Sequence, residues 1–156
     1  AYFTEGGFSH VEALWPSAQG AHTLTFGSYE RSVLVHGRHI PAGVEFRPVG
    51  YAKLVLCVRF HIPCTAAQQA RWEADALAHQ GEPYDWSAIE GFMAGQDWHQ
   101  PKHQICSALQ TVLLQRAGLL PTLYAPASHV SPNALALVLS ALPGVWSERI
   151  VPGSTL

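Results

Sequence analysis

Cys106 is the residue of this chain best suited to covalent chemistry. It opens the segment Ile105 to Ala117 (ICSALQTVLLQRA), in which Ile105, Leu109, Val112 and Leu113 fall on one helical stripe and Gly118 supplies a stop. A thiol on the first turn of a helix meets the positive end of the helix dipole and amide hydrogens that lack an intrahelical acceptor, and both favour the thiolate. The same amides can hold an oxyanion once that thiolate attacks a carbonyl. Such a nucleophile works with a base. Of nine histidines, His10 is the best placed, in a strand-like segment after Ser9 and flanked by Phe8 and Val11. The pair would perform acyl transfer through a thioester. A cysteine on a helix and a histidine in a strand are also ordinary packing residues, so the reading depends on elements that bring the two together.

Those elements divide the chain. Phe8 to Trp15 (FSHVEALW) and Thr23 to Phe26 are rich in strand formers, and Pro16, Ser17 and Gly20 between them mark a hairpin loop. Ser32 to Val35, Val44 to Arg47 and Lys53 to Phe60 continue the β pattern between Gly37, Pro41, Gly43 and Gly50, so the first sixty residues are expected to form an antiparallel sheet. Thr65 to His79 turns to helix formers, with Ala67, Ala70, Ala74 and Leu77 spaced for one face and Gly81 as a stop. A short helix over Trp86 to Met93 follows Pro83, and Gly95 to Gln104 is a polar connection that Pro101 keeps from being helical. Ser131 and Pro132 begin a last helix that ends near Leu142.

Composition narrows the function classes. The 156 residues suit one domain spanning the whole chain, and a 48% hydrophobic, 13% charged composition argues for a filled core. A formal charge of −2 without a Lys/Arg block gives no footprint for nucleic acid, and no apolar run approaches the roughly 20 residues that cross a bilayer. Three cysteines, Cys57, Cys64 and Cys106, lack the paired spacing of a disulfide framework. His36 with His39, and His99 with His103, have spacings that bring two imidazoles together, but neither has a Cys or carboxylate cluster to complete a zinc set, so no metal or other cofactor is expected. The chain opens at Ala1, which is the expectation for a domain trimmed at its N-terminus or excised from something longer.

The order Ser9 to Glu12 (SHVE), Gly43-Val44, Pro83 to Trp86 (PYDW), then Cys106-Ser107 opening a helix resembles the circularly permuted NlpC-type papain-like hydrolases over most of the chain. The resemblance implies an α+β, permuted papain-like fold: an antiparallel sheet or partial barrel packed on the Cys106 helix, with the His strand before the Cys helix, the reverse of papain's order. It implies Cys106 as nucleophile and His10 as base, and an amide bond in a peptidoglycan stem peptide as the target. Two departures stand out. Ala108 occupies a place where the family often has an acidic residue, and the strand that usually precedes the His strand is missing.

A third residue should hold the imidazole in one tautomer. The spacing of related unpermuted enzymes, about twelve positions after the His, lands on His22. Hairpin geometry differs: a turn centred near Ala18 and Gln19 faces His10 with Gly27 and Ser28, and Thr25 is the next polar group on that side. Ser28, Thr25 and His22 therefore stay open, with Glu12 and Glu30 behind them. Gln104 could serve the oxyanion as a papain-like glutamine does, and Trp98 and His99 could line the cleft entrance. Tyr84, Asp85 and Trp86 match the family's motif but also read as a capped helix start packed by aromatics. Similar permuted domains act on acyl lipids as thioesterases or acyltransferases, and a third alternative is a non-catalytic binding or phage structural module. A cell-wall enzyme, a prophage product and a secreted antibacterial effector with a cognate immunity protein would share such a domain.

Overall fold

Strand β2 (Leu24–Tyr29) is buried from its second residue to its last, because it lies between two antiparallel neighbours, β1 (Ala13–Leu14) and β5 (Gly43–Pro48). The computed structural model describes residues 10–16, 23–51, 57–93 and 104–150. The remaining elements are the hairpin β3 (Val33–Val35) and β4 (Arg38–Ile40), β6 (Cys57–His61), α1 (Ala66–His79), α2 (Trp86–Met93), α3 (Cys106–Arg116), a 3-10 turn (Ala127–His129), α4 (Pro132–Ala141) and β7 (Trp146–Ile150). The architecture is thus α+β, with small antiparallel sheets and a few helices.

Side-chain alternation gives the central sheet two faces. On one, Phe26 lies opposite Ala13 and Phe46. Together with Trp15 these rings meet Trp72 of α1, Trp15 standing edge-on to Phe46 at 4.7 Å and tilted against Trp72 at 5.5 Å. Leu109 and Leu113 of α3 and Leu135 and Leu139 of α4 complete this core. Full burial of each such side chain is worth about 1.5–3 kcal/mol. On the other face Thr25, Gly27, Tyr29 and Arg47 surround the strand that leads in from His10.

Several expectations need correction. The early strands do not make one sheet: β3 and β4 pair only with each other among the described residues, and β6 pairs with β7, matching Cys57 to Ile150 and His61 to Trp146. Residues 146–150 (WSERI) have apolar side chains only at their ends, so their strand depends on its partner rather than on its own pattern. Residues 52–56, the start of the expected Lys53 to Phe60 strand, lie outside the described residues. In α1 the stripe Ala67, Ala70, Ala74 and Leu77 is exposed, whereas Trp72 and Ala76 are buried. One indole hides more apolar surface than several methyl groups, and it sets the rotation of the helix. Helix α3 is buried on nearly every side rather than along a stripe, and its polar residues are satisfied internally: Thr111 Oγ1 donates to the Ser107 carbonyl at 2.8 Å and Gln110 Nε2 to the Phe26 carbonyl at 3.1 Å.

The caps follow the sequence. Thr65 and Gln68 form a reciprocal capping box on α1, and Ser131 accepts from Ala134 N–H with Pro132 at the first position of α4. Gly43 serves a tertiary contact. At φ +106 it lets β5 approach the loop after α1, where Val44 N–H donates to the Glu82 carbonyl at 2.8 Å and Gly81 N–H to the Val44 carbonyl at 2.8 Å. A Cβ at Gly43 would collide with the Glu82 carbonyl oxygen. Gly43→Ala combines that collision with a left-handed φ and is expected to cost about 3 kcal/mol or more, read as a lower urea midpoint at unchanged slope.

Candidate active site

Cys106 is the first residue of α3, and Ile105, the cap residue before it, offers no side-chain hydrogen bond to the helix end. The first-turn amides are therefore left for another acceptor. The Cys106 sulfur takes that place in part, accepting from the backbone N–H of Val11 and of Ser107 and hydrogen bonding to the His10 side chain. The thiol is 5% exposed. Burial drives its pKa up, but the hydrogen bond and charge of His10, followed by the two amides, outweigh burial and hold Cys106 below the ordinary thiol value.

His10 responds in the complementary direction. Its desolvation disfavours the imidazolium, yet the Cys106 hydrogen bond and the negative charges of Cys106 and the nearby Glu12 prevail and raise its pKa to about 10. One third of its side-chain surface is open to solvent. Both shifts favour a thiolate beside an imidazolium, and the two groups titrate as a coupled pair.

Glu12 stands behind His10. Its Oε2 lies 3.7 Å from His10 Nε2 and accepts from the Tyr29 hydroxyl at 3.0 Å, and the Thr25 hydroxyl is 3.0 Å from the same phenol oxygen. Burial opposes ionisation of Glu12; contacts from His10, Tyr29 and Thr25 overcome it and keep the carboxyl below its usual range. Gly27 supplies the room, since a Cβ there would lie 3.2 Å from the Glu12 Cβ.

The candidate third residues fall in different places. Ser28 donates to the Gln104 carbonyl at 2.6 Å, so its hydroxyl ties β2 to the entrance of α3. Thr25 reaches Tyr29 and the Arg47 carbonyl. His22 lies outside the described residues, as do Trp98, His99 and His103. The register accounts for part of this. Ala13 pairs with Phe26, and continuing that ladder sets His10 opposite Tyr29 rather than Gly27 or Ser28. Moving a turn centre by one residue moves the partner by two and preserves the face. The rings of His10 and Tyr29 are indeed adjacent, with centroids 5.2 Å apart. Glu12 was signalled by spacing alone: in a strand, positions i and i+2 share a face, and His10-Val11-Glu12 satisfies that. Glu30 is exposed and paired with its neighbour Arg31 at 3.5 Å.

The segment around Tyr84 braces the start of the Cys106 helix from the other side. Asp85 is fully buried, and its Oδ1 accepts from Ser87 Oγ at 2.8 Å and Ala88 N–H at 2.9 Å, the pattern of an N-cap for α2. A parallel bridge joins Tyr84 to Gln104: Gln104 N–H donates to the Pro83 carbonyl at 3.0 Å and Asp85 N–H to the Gln104 carbonyl at 3.1 Å. Gln104 is thus held through its backbone two residues before Cys106. Tyr84 packs on Ala88, Ile105 and Ala108, and its phenol is shifted upward by burial and then by the nearby Cys106 charge. Ala108 is 2% exposed in that cluster, so the position that carries an acid in the resembled family is packing here. Asp85→Ala is expected to cost about 1–2 kcal/mol through the lost cap, seen as a lower thermal midpoint.

Cys57, Cys64 and Cys106 are all free. Among the described residues no three His, Cys, Asp or Glu side chains converge as a metal set, and no helix is long and apolar enough to cross a membrane. His36 occupies the β3–β4 turn and His39 lies on β4. A cavity of about 720 Å³ beneath that hairpin, lined by residues such as Val35, His39 and Phe46, does not include Cys106 or His10. No family model, no curated protein and no solved structure matches this chain.

Proposed function

We propose that this protein is a cysteine-dependent hydrolase of the permuted papain-like type, cleaving amide bonds in peptidoglycan stem peptides. The observation that carries the chemistry is the Cys106 sulfur at the uncapped start of α3, hydrogen-bonded to a His10 that is itself held by Glu12. The order of the His-bearing segment and the Cys-bearing helix supports the permuted fold, and the cell-wall substrate rests on the resemblance in SHVE, PYDW and the Cys-Ser pair.

In this reading the Cys106 thiolate attacks the amide carbon and the new S–C bond pushes charge onto the carbonyl oxygen, which the first-turn amides of α3 stabilise. The His10 imidazolium gives its proton to the leaving nitrogen as the C–N bond breaks, and a thioester remains. Neutral His10 then takes a proton from water, whose hydroxide attacks the thioester. The carboxylic acid product departs and loses its proton to solvent, Cys106 returns as thiolate and His10 keeps the proton taken from water, restoring the ion pair.

Incubation with purified cell wall and, separately, with acyl lipids tests the substrate class. New free amino groups and peptide fragments from cell wall support the proposal. Fatty acid release without peptide release would assign the same thiol chemistry to lipids, and no product from either would leave a binding module.

A further inference from the structure

The charge behind the ion pair extends one layer further. Arg47 is 3% exposed, and its guanidinium lies 3.8 Å above the centre of the Tyr29 ring and 5.0 Å from that of Tyr51. It donates through one terminal nitrogen to the carbonyls of Arg31 and Pro41, and no carboxylate among the described residues pairs with it. A guanidinium buried without an acid costs free energy unless other negative potential serves it. Ring faces provide some of that. The rest comes through the phenols: Tyr29 donates to Glu12 at 3.0 Å, and the Tyr51 ring stands beside both Arg47 and Tyr29. The two rings meet edge to face at 5.6 Å, which holds the Tyr29 ring in place with its hydroxyl on the carboxylate. The cluster is therefore an alternating row: Cys106 thiolate, His10 imidazolium, Glu12 carboxylate, Arg47 guanidinium, with phenols between the last two.

We propose that Tyr29, Tyr51 and Arg47 are positioning residues for acyl transfer, holding Glu12 ionised and aimed at His10 so that Cys106 remains a thiolate. The inference rests on the thiol-hydrolase reading and deepens it. Without Arg47 the thiolate, imidazolium and carboxylate would carry one net negative charge inside the protein, and the least costly relief is a proton on Glu12 or loss of the thiolate. The groups facing Glu12 are His10 from its own segment, Thr25 and Tyr29 from β2, and Tyr51 after β5. Tyr29 donates to the carboxylate and His10 offers it positive charge, so removing the Tyr29 hydroxyl weakens that charge state.

The test is the rate of Cys106 alkylation by iodoacetamide against pH, located by peptide mass spectrometry. Tyr29→Phe keeps the ring beneath Arg47 and deletes only the hydroxyl on Glu12. Its midpoint is expected to rise by about one pH unit, a loss of about tenfold in rate at mildly acidic pH. Tyr51→Phe should move it in the same direction by less, while Leu139→Ala, a core truncation away from the row, should lower the thermal midpoint and leave the profile in place. With cell-wall substrate, Tyr29→Phe should lower kcat more than it raises KM. An unchanged Tyr29→Phe profile, or an equal shift in Leu139→Ala, overturns the positioning role while sparing the nucleophile. A wild-type Cys106 that titrates as an ordinary thiol overturns both.

Discussion

Cys106→Ala is expected to abolish hydrolysis, a loss of about ten-thousand-fold or more, while the protein stays folded. In the proposed mechanism the sulfur is the atom that forms the thioester, and neither of the other two thiols is placed to replace it. Cys57 lies on β6 and Cys64 is exposed after it, and neither opens a helix. Burial also raises the Cys57 pKa, with the nearby Arg59 charge opposing it, so its thiolate is scarce near neutrality. The fold should tolerate the change because Cys106 contributes a small side chain beside Ile105 and Ala108, and a lost sulfur in such a site costs about 1 kcal/mol. Without its anionic partner, His10 should fall back toward its ordinary pKa, visible in its imidazole proton resonances. A Cys106→Ala protein that still cleaves cell wall would move the chemistry elsewhere.

The second large effect is that of His10→Gln, which should lower turnover near neutrality by about a hundredfold to ten-thousandfold. Glutamine fills a similar space but neither protonates the leaving group nor activates water. Its pH signature separates this role from mere packing. In the proposed mechanism the active pair is the thiolate with the imidazolium, so wild-type activity should be lost on the acid side as pH falls through the depressed Cys106 pKa, and on the alkaline side as pH rises through about 10, where His10 loses its proton. These limits belong to the coupled pair. The stability sign agrees. His10, raised by its partners, contributes most below its unfolded value of 6.5 and loses that contribution as pH climbs to about 10. Cys106, depressed, contributes most above its unfolded value of 9.0 and loses that contribution as pH falls. Where these two windows overlap the slopes oppose each other, so the pair's net effect on stability is small there. In His10→Gln the alkaline limb should vanish and the residual thiolate reactivity should rise only in the ordinary thiol range.

The helix that carries Cys106 was legible because its apolar content and the flanking Gly118 are local signals, and the starts of α1 and α4 were legible for the same reason: Thr65-x-x-Gln68 and Ser131-Pro132 act within one turn. What escaped depends on distant partners. Residues 146–150 form a strand only because 57–61 offer an edge. The rotation of α1 followed Trp72, whose ring contacts come from Trp15 and Phe26 on the sheet side, not from its alanine neighbours. Glu12 lies two residues from His10 on the same side of the chain, whereas the cross-strand partners of His10 depend on a turn centre that local residues do not fix. Arg47 gave no local sign at all, since a single arginine in a strand reads as solvent-facing until the aromatic rings around it are known.

The most direct measurement of the central claim is the pH dependence of Cys106 alkylation in the wild-type protein and in His10→Gln, with Cys57 and Cys64 followed in the same samples. The thiolate–imidazolium pair predicts that wild-type Cys106 reacts well below the pH at which Cys57 does, and that His10→Gln removes this advantage. Cys106 reacting no earlier than Cys57, or unchanged by His10→Gln, would contradict it.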